Sequence, residues 1–201
     1  FCDAMTTGPI IKKRYDLLVT DIGDKYYLQA GSKAGEKILR SDLFSTATKV
    51  DRKKMEAEVL RVKNKLQSGF GIDKLSEKMK GKFWSKLWEA QTKKCVLCGA
   101  CNFVCPTCYC FDVVDETDLA GKKGQRVRVW DKGHFKDFAT VAGGINFRGG
   151  KVPRVKQGLD HKLCYSSEQR GVYDCVGCGR CIQFCPAKID IREIIKDVQG
   201  E

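Results

Sequence analysis

Two hydrophobic periods alternate along this chain. Residues 17–22 (Leu-Leu-Val-Thr-Asp-Ile) and 25–30 (Lys-Tyr-Tyr-Leu-Gln-Ala) flank Gly23-Asp24 and predict a β-hairpin. From about 49 to 67, Met55, Val59, Val62 and Leu66 recur at helical spacing, and from 72 to 91 Ile72, Leu75, Met79, Phe83 and Leu87 do the same. Two amphipathic helices are expected there, separated by Gly69 and Gly71. Trp84 and Trp88 lie one turn apart beside the second stripe and read as core. Farther on, residues 126–130 (Arg-Val-Arg-Val-Trp) alternate as a short strand, and 135–142 and 152–168 fit helices. Near the end, Asp190 is placed to cap a helix with Glu193 three residues on, and Ile191, Ile194, Ile195 and Val198 form its apolar side. No stretch approaches the roughly 18 uninterrupted apolar residues of a membrane-spanning helix.

The cysteines change this picture. The chain holds 12 of them in 201 residues, a density that in a secreted domain would mean a disulfide scaffold. Their spacing argues otherwise. Cys95, Cys98, Cys101, Cys105 and Pro106 form C-x2-C-x2-C-x3-C-P, and Cys175, Cys178, Cys181, Cys185 and Pro186 repeat it. Three thiolates in a tight loop can each reach a different iron of one cubane cluster, and the proline turns the chain away without needing an amide donor. Zinc also accepts C-x2-C pairs, but as two pairs around one ion, and a three-plus-one grouping with proline has little use there. The reading is two 4Fe-4S clusters. In two-cluster ferredoxins the fourth cysteine crosses over to the other cluster. By that likeness cluster one takes Cys95, Cys98, Cys101 and Cys185, and cluster two takes Cys175, Cys178, Cys181 and Cys105. Gly99, Gly177 and Gly179 let backbone amides approach the sulfurs, while Val96, Leu97, Phe103, Val104, Ile182 and Phe184 are available to exclude water.

Cys2, Cys108, Cys110 and Cys164 remain. Cys108 and Cys110 follow the first run so closely that they read as buried free thiols, with neighbours of the cluster or substitute ligands as the alternative. His134 and His161 show no metal-ligand spacing and read as structural. The glycine-rich residues 143–150 match neither phosphate-loop pattern, so a tight connection is expected.

Lys and Arg outnumber Asp and Glu by 37 to 25, a formal charge of +12. Two oxidised clusters with their thiolates, at about −2 each, would bring it to roughly +8. A basic surface suits acidic partner subunits, or is simply solvated. Nucleic-acid or ribosome association with structural clusters is the alternative reading, disfavoured because the basic residues are dispersed and form no reader motif. No constellation of nucleophile, acid and base points to catalysis by this chain itself.

The pattern implies an α+β, mostly α fold. Residues 1–45 form a β-containing segment, read as the tail of an upstream domain because the chain opens on Phe1. Residues 46–92 form a helical hairpin, and 93–201 a ferredoxin-type domain with two 4Fe-4S clusters and a 69-residue insertion between its motifs.

Residues 95–112, 136–148 and 175–186 together resemble the dicluster iron–sulfur subunits that include the A subunit of anaerobic sulfite reductase and the β subunit of soluble NiFe sulfhydrogenases. That resemblance implies an α-helical, ferredoxin-like dicluster domain in a cytoplasmic, anaerobic oxidoreductase. It implies electron relay between a diaphorase-type flavoprotein, which would carry FAD and NAD(P), and a catalytic subunit such as a hydrogenase, a sulfite reductase or a heterodisulfide-reductase-linked enzyme. Relatives carry a cysteine after Trp-Asp, where this chain reads Trp130-Asp131-Lys132-Gly133-His134.

Overall fold

Residues 1–66, 69 and 71–200 are described in the computed structural model. The chain divides into two compact units, Phe1–Gly71 and Ile72–Glu201.

The first unit is organised by the expected hairpin. Strands β1 (Leu17–Asp21) and β2 (Tyr26–Ala30) pair antiparallel, Leu17 opposite Ala30 and Asp21 opposite Tyr26. Gly23 adopts φ +98° at the turn, and its N–H donates to Asp21 Oδ1 at 2.8 Å. Helix α1 (Lys33–Leu39) follows at once, capped by Ser32. Its Gly35 lies so close to the hairpin that a Cβ there would sit 1.9 Å from the Asp16 carbonyl oxygen. Helix α2 (Lys49–Lys65) starts in a capping box, with Asp51 N–H donating to Thr48 Oγ1 at 3.2 Å and Thr48 N–H to Asp51 Oδ2 at 2.8 Å. Lys25 from the hairpin pairs with Asp51 at 2.9 Å. That pair and the Thr48 hydrogen bonds hold the Asp51 carboxyl well below the usual carboxylate range. Gln67, the last residue of the expected helix, lies outside the described residues.

In the second unit the sequence departs from one expectation. The stripe from 72 to 91 forms two helices, α3 (Leu75–Gly81) and α4 (Leu87–Thr92). The break has a visible cause: the indole Nε1 of Trp88 donates to the Lys82 carbonyl at 2.8 Å, folding the second helix back onto the end of the first. Trp88 is buried there, whereas Trp84, read as core, is exposed. Helix α5 (Ala100–Phe103) precedes strands β3 (Phe111–Thr117) and β4 (Gly124–Trp130), an antiparallel ribbon with Phe111 opposite Trp130. Residues 135–142 yield only one 3-10 turn, Asp137–Ala139.

The expected helix at 152–168 is longer and interrupted. Helix α6 (Lys151–Asp160) passes through a π-helical stretch, His161–Tyr165, into α7 (Ser166–Arg170). Helix α8 (Arg180–Gln183) and the final α9 (Ile191–Gln199) complete the unit. Asp190 caps α9 through the Arg192 N–H at 2.8 Å, and Glu193 faces Lys196 instead of closing a capping box. Leu75 and Met79 of α3, Leu163 of the π stretch and Ile194, Ile195 and Val198 of α9 are buried together as the main apolar core of this unit. The fold is thus mostly helical with two small antiparallel ribbons, as the pattern implies.

Candidate metal centre

Each cysteine run folds into the same local structure, 80 residues apart. Leu97 (φ +57°) and Gly177 (φ +64°) take the left-handed conformation between the first and second cysteines, and Gly99 (φ +71°) and Gly179 (φ +77°) between the second and third. Such values are open to glycine and cost a leucine about 1–2 kcal/mol, so the loop must hold Leu97 there by its other contacts. The turn aims amides at sulfur, as the Leu97 N–H, 3.4 Å from Cys95 Sγ, illustrates. Single-turn helices α5 and α8 carry the third cysteine of each run, Cys101 and Cys181. Each run then closes identically, with Cys105 N–H bonded to the Asn102 carbonyl and Cys185 N–H to that of Ile182. The Ile189 N–H also donates to Cys185 Sγ at 3.3 Å.

The two runs interleave. Burial pushes the Cys101 thiol up to about 11, and the neighbouring thiols that add to this are those of Cys95, Cys98 and Cys185. Burial likewise pushes Cys181 up to about 12, with Cys175, Cys101, Cys105 and Cys178 as its thiol neighbours. Cys175 is raised by burial first and by Cys105 next among the thiols. The fourth cysteine of each run is thus among the charge neighbours of the other run, Cys185 for Cys101 and Cys105 for Cys175 and Cys181. Thiols this reluctant to ionise would become ligands by giving up their protons to solvent as metal binds, so loading would be coupled to pH.

The donor set fits iron–sulfur clusters. The eight cysteines of the two runs are all free thiols, enough for two clusters of four ligands each. Among the described residues no three His, Cys, Asp or Glu side chains gather tightly enough for a single ion, whereas a cubane spreads its ligands over separate irons. Cys98 and Cys178, the second cysteine of each run, are exposed, and the other six are partly or fully buried. Of the apolar residues expected to exclude water, Val96, Phe103 and Phe184 are more than half exposed, and Leu97, Val104 and Ile182 are partly covered.

The insertion supplies neighbours that sequence spacing does not reveal. Lys132 is 1% exposed, and its ammonium donates to the Gly99 carbonyl and lies over the Phe103 ring. A Cβ at Gly99 would meet Lys132 Cδ at 2.6 Å, so glycine is needed here for space as well as for its φ. Burial lowers the Lys132 pKa, and the thiols of Cys101, Cys108 and Cys98 counter it. His134, read as merely structural, lies with Nε2 3.9 Å from Cys101 Sγ. Asn102 Nδ2 is 3.3 Å from Nδ1, and as a donor there it leaves the proton on Nε2, facing the sulfur. Burial, then Lys132 and Arg154, push this imidazole down to about 4, so it stays neutral. Cys108 and Cys110 are partly exposed and hydrogen-bonded to each other, which lowers the thiol of Cys108 and raises that of Cys110. Cys164 is buried against Ser76, and Cys2 sits in the first unit beside Gly8.

Residues 94–189 match the family model of the 4Fe-4S dicluster domain. Over that stretch, just under half of its length, the chain is similar to dicluster iron–sulfur domains. It is 31% identical over 202 aligned residues to the sulfhydrogenase 2 subunit beta of Pyrococcus furiosus, an alignment covering 99% of this chain and 59% of that protein. The chain thus spans about three fifths of the relative's length. No solved structure matches it significantly. The Lys151, Arg154 and Lys156 cations of the insertion are bonded to the carbonyls of Lys93, of Gly150 and His134, and of Phe83.

Proposed function

We propose that this chain is the electron-transfer subunit of a sulfhydrogenase-type oxidoreductase complex. Cys95, Cys98, Cys101 and Cys185 would hold cluster one, and Cys175, Cys178, Cys181 and Cys105 cluster two. The observation that supports this reading is that two loops of the same local structure pack together through α5 and α8, with Cys185 among the charge neighbours of Cys101 and Cys105 among those of Cys175. Each 4Fe-4S cluster, when bound, takes up and gives up one electron. The chain's residues do the rest. Crossed ligation fixes the two sites side by side through α5 and α8, so an electron passes between them without leaving the protein. The exposed Cys98 and Cys178 give each site an edge at the surface where a donor or an acceptor can approach.

The relative's designation as a subunit supports assembly with other chains. Under this reading those partners are a flavoprotein of diaphorase type, holding FAD and binding NAD(P), and a catalytic subunit, and the relay itself asks no catalysis of this chain. Clusters ligated by eight thiolates fit a reducing, cytoplasmic compartment, and no described helix is long and apolar enough to cross a membrane.

A stepwise reductive titration followed by EPR, with iron and sulfide quantified on the same anaerobic sample, tests the reading. About eight irons per chain and two interacting S = ½ signals are expected. Four irons, bound zinc, or clusters that never accept an electron would overturn it.

A further inference from the structure

A cavity of about 320 Å³ opens beside the candidate metal centre and is not used by the relay. Its size is at the low end for small-molecule sites. Cys108 and Cys110 both line it, two residues apart in the segment that leads into β3. The thiols are free and hydrogen-bonded to each other. The opposite wall is built by the π-helical stretch, a geometry that recurs where a helix is deformed to re-aim side chains, and here it brings His161 and Lys162 to the cavity. Lys162 Nζ is buried with no oxygen or nitrogen acceptor and lies against the thiols of Cys105, Cys108 and Cys175. Arg148 adds a second cation, and the lining includes no Asp or Glu. Asn102, which contacts Cys101, closes the cavity towards the first cysteine run.

We propose that Cys108 and Cys110 form a redox-active dithiol that reduces a small anionic disulfide bound in this cavity. One thiolate attacks a substrate sulfur, forming a mixed disulfide and releasing the first substrate thiol. The second cysteine attacks that bond, forming Cys108–Cys110 and releasing the other. The protons of the two protein thiols leave with the two products. Two electrons and two protons would restore the dithiol, the electrons supplied by the clusters that the eight cysteines would hold and the protons by solvent. Arg148 and Lys162 hold the anionic substrate. The exchange half-reaction rests on this chain's thiols alone, and only the regeneration rests on the relay reading. Two one-electron centres beside a two-electron thiol couple would explain why the pair stands so close to Cys105, whose carbonyl accepts the Cys108 N–H.

The test uses the full chain with clusters intact, under anaerobic conditions, with oxidised glutathione as the anionic probe and cystamine as the cationic one. Two glutathione thiols should be released per chain, with a disulfide mapped by mass spectrometry to the Cys108–Cys110 peptide and iron content unchanged. The rate with oxidised glutathione should exceed that with cystamine by about tenfold, and Arg148→Gln should remove most of the preference. The Cys108→Ser/Cys110→Ser variant should release no paired thiols while retaining its iron. When oxidised glutathione is added to the chain whose clusters have been reduced with dithionite and freed of excess reductant, the EPR signals should fade by two electrons per disulfide re-reduced. A disulfide that does not form between these residues, or equal rates for the two probes, would overturn the proposal. Low iron or silent clusters would instead count against the relay, because the exchange proceeds without them.

Discussion

The buried ammonium of Lys132 offers the sharpest test of how the insertion tunes the first cluster site. Lys132→Met keeps a linear apolar stem of similar length beside Gly99 and removes one positive charge from a side chain that is 1% exposed. Gly99 lies between Cys98 and Cys101, so the charge acts on the cluster those cysteines would hold. At a separation of roughly 7 Å and an effective dielectric of about 20, one unit charge is worth about 2.4 kcal/mol. For a one-electron couple about 1.4 kcal/mol is 59 mV, so the upper value is about 100 mV, reduced to about half where water or counter-ions compensate. Reduction makes the cluster more negative, and loss of the cation therefore lowers its potential. EPR-monitored titration of wild type and variant resolves the two sites, and cluster one alone should move, by about −50 to −100 mV. Unchanged potentials with eight irons still bound would refute the electrostatic argument. A shift of both clusters together would point to general loosening instead.

Three further outcomes follow from the geometry. Gly99→Ala should lose iron from one cluster because it combines a left-handed φ with a 2.6 Å approach to Lys132, whereas Gly179→Ala, with open space around it, should cost only the backbone strain of about 1 kcal/mol; metal analysis separates them. Trp88→Ala, removing a buried indole and its bond to the Lys82 carbonyl, should cost about 3–5 kcal/mol in thermal or denaturant unfolding, and Trp84→Ala, at an exposed site, within about 0.5 kcal/mol of nothing. Burial pushes the Asp160 carboxyl up to about 6, and its Oδ2 has no hydrogen-bond partner. The folded state therefore binds the proton more tightly than the unfolded one, which favours folding below about pH 4, and that advantage is lost as pH rises through 6. Asp160→Asn should remove this dependence and slow amide exchange around α6 at pH 7 by an amount worth about 1–3 kcal/mol; equal pH profiles would contradict it.

Much of the site was legible because cluster ligation is a local demand. Three cysteines of each run must fall within seven residues, and the left-handed turns between them favour glycine, so spacing and glycines mark the loops without knowledge of the fold. The crossed fourth cysteine is not local, and its pairing was carried from the likeness to ferredoxins. Lys132 and His134 were missed for the same reason: they reach Gly99 and Cys101 across 33 residues, from a segment with no periodicity. Strand β3 was missed because its ribbon is exposed on both sides, which leaves Asp112, Asp115 and Glu116 among its apolar residues and blurs the alternation. The helix at 72–91 was over-extended because an apolar stripe records which face is buried and says nothing of a tryptophan turning back on its own helix end.

The same contrast bears on what the insertion does. A relay needs only two cysteine loops held together, and α5, α8 and the core of α3 and α9 already provide that scaffold. Yet the 69 residues between the loops bring a buried lysine to Gly99 and a neutral histidine to Cys101, and a second lysine to Cys105, Cys108 and Cys175. Burying two ammonium groups is costly unless an anion compensates them. Thiols that burial holds protonated supply little such compensation, whereas clusters with thiolate ligands carry net negative charge that grows on reduction. The buried Lys132 ammonium is therefore best explained as a counter-charge to a loaded, reducible cluster. On that argument the chain without its clusters should be the less stable for having Lys132, so Lys132→Met should stabilise the metal-free chain while destabilising the reduced one. Opposite signs in the two states would tie the insertion to electron uptake, and equal signs would leave Lys132 a packing residue.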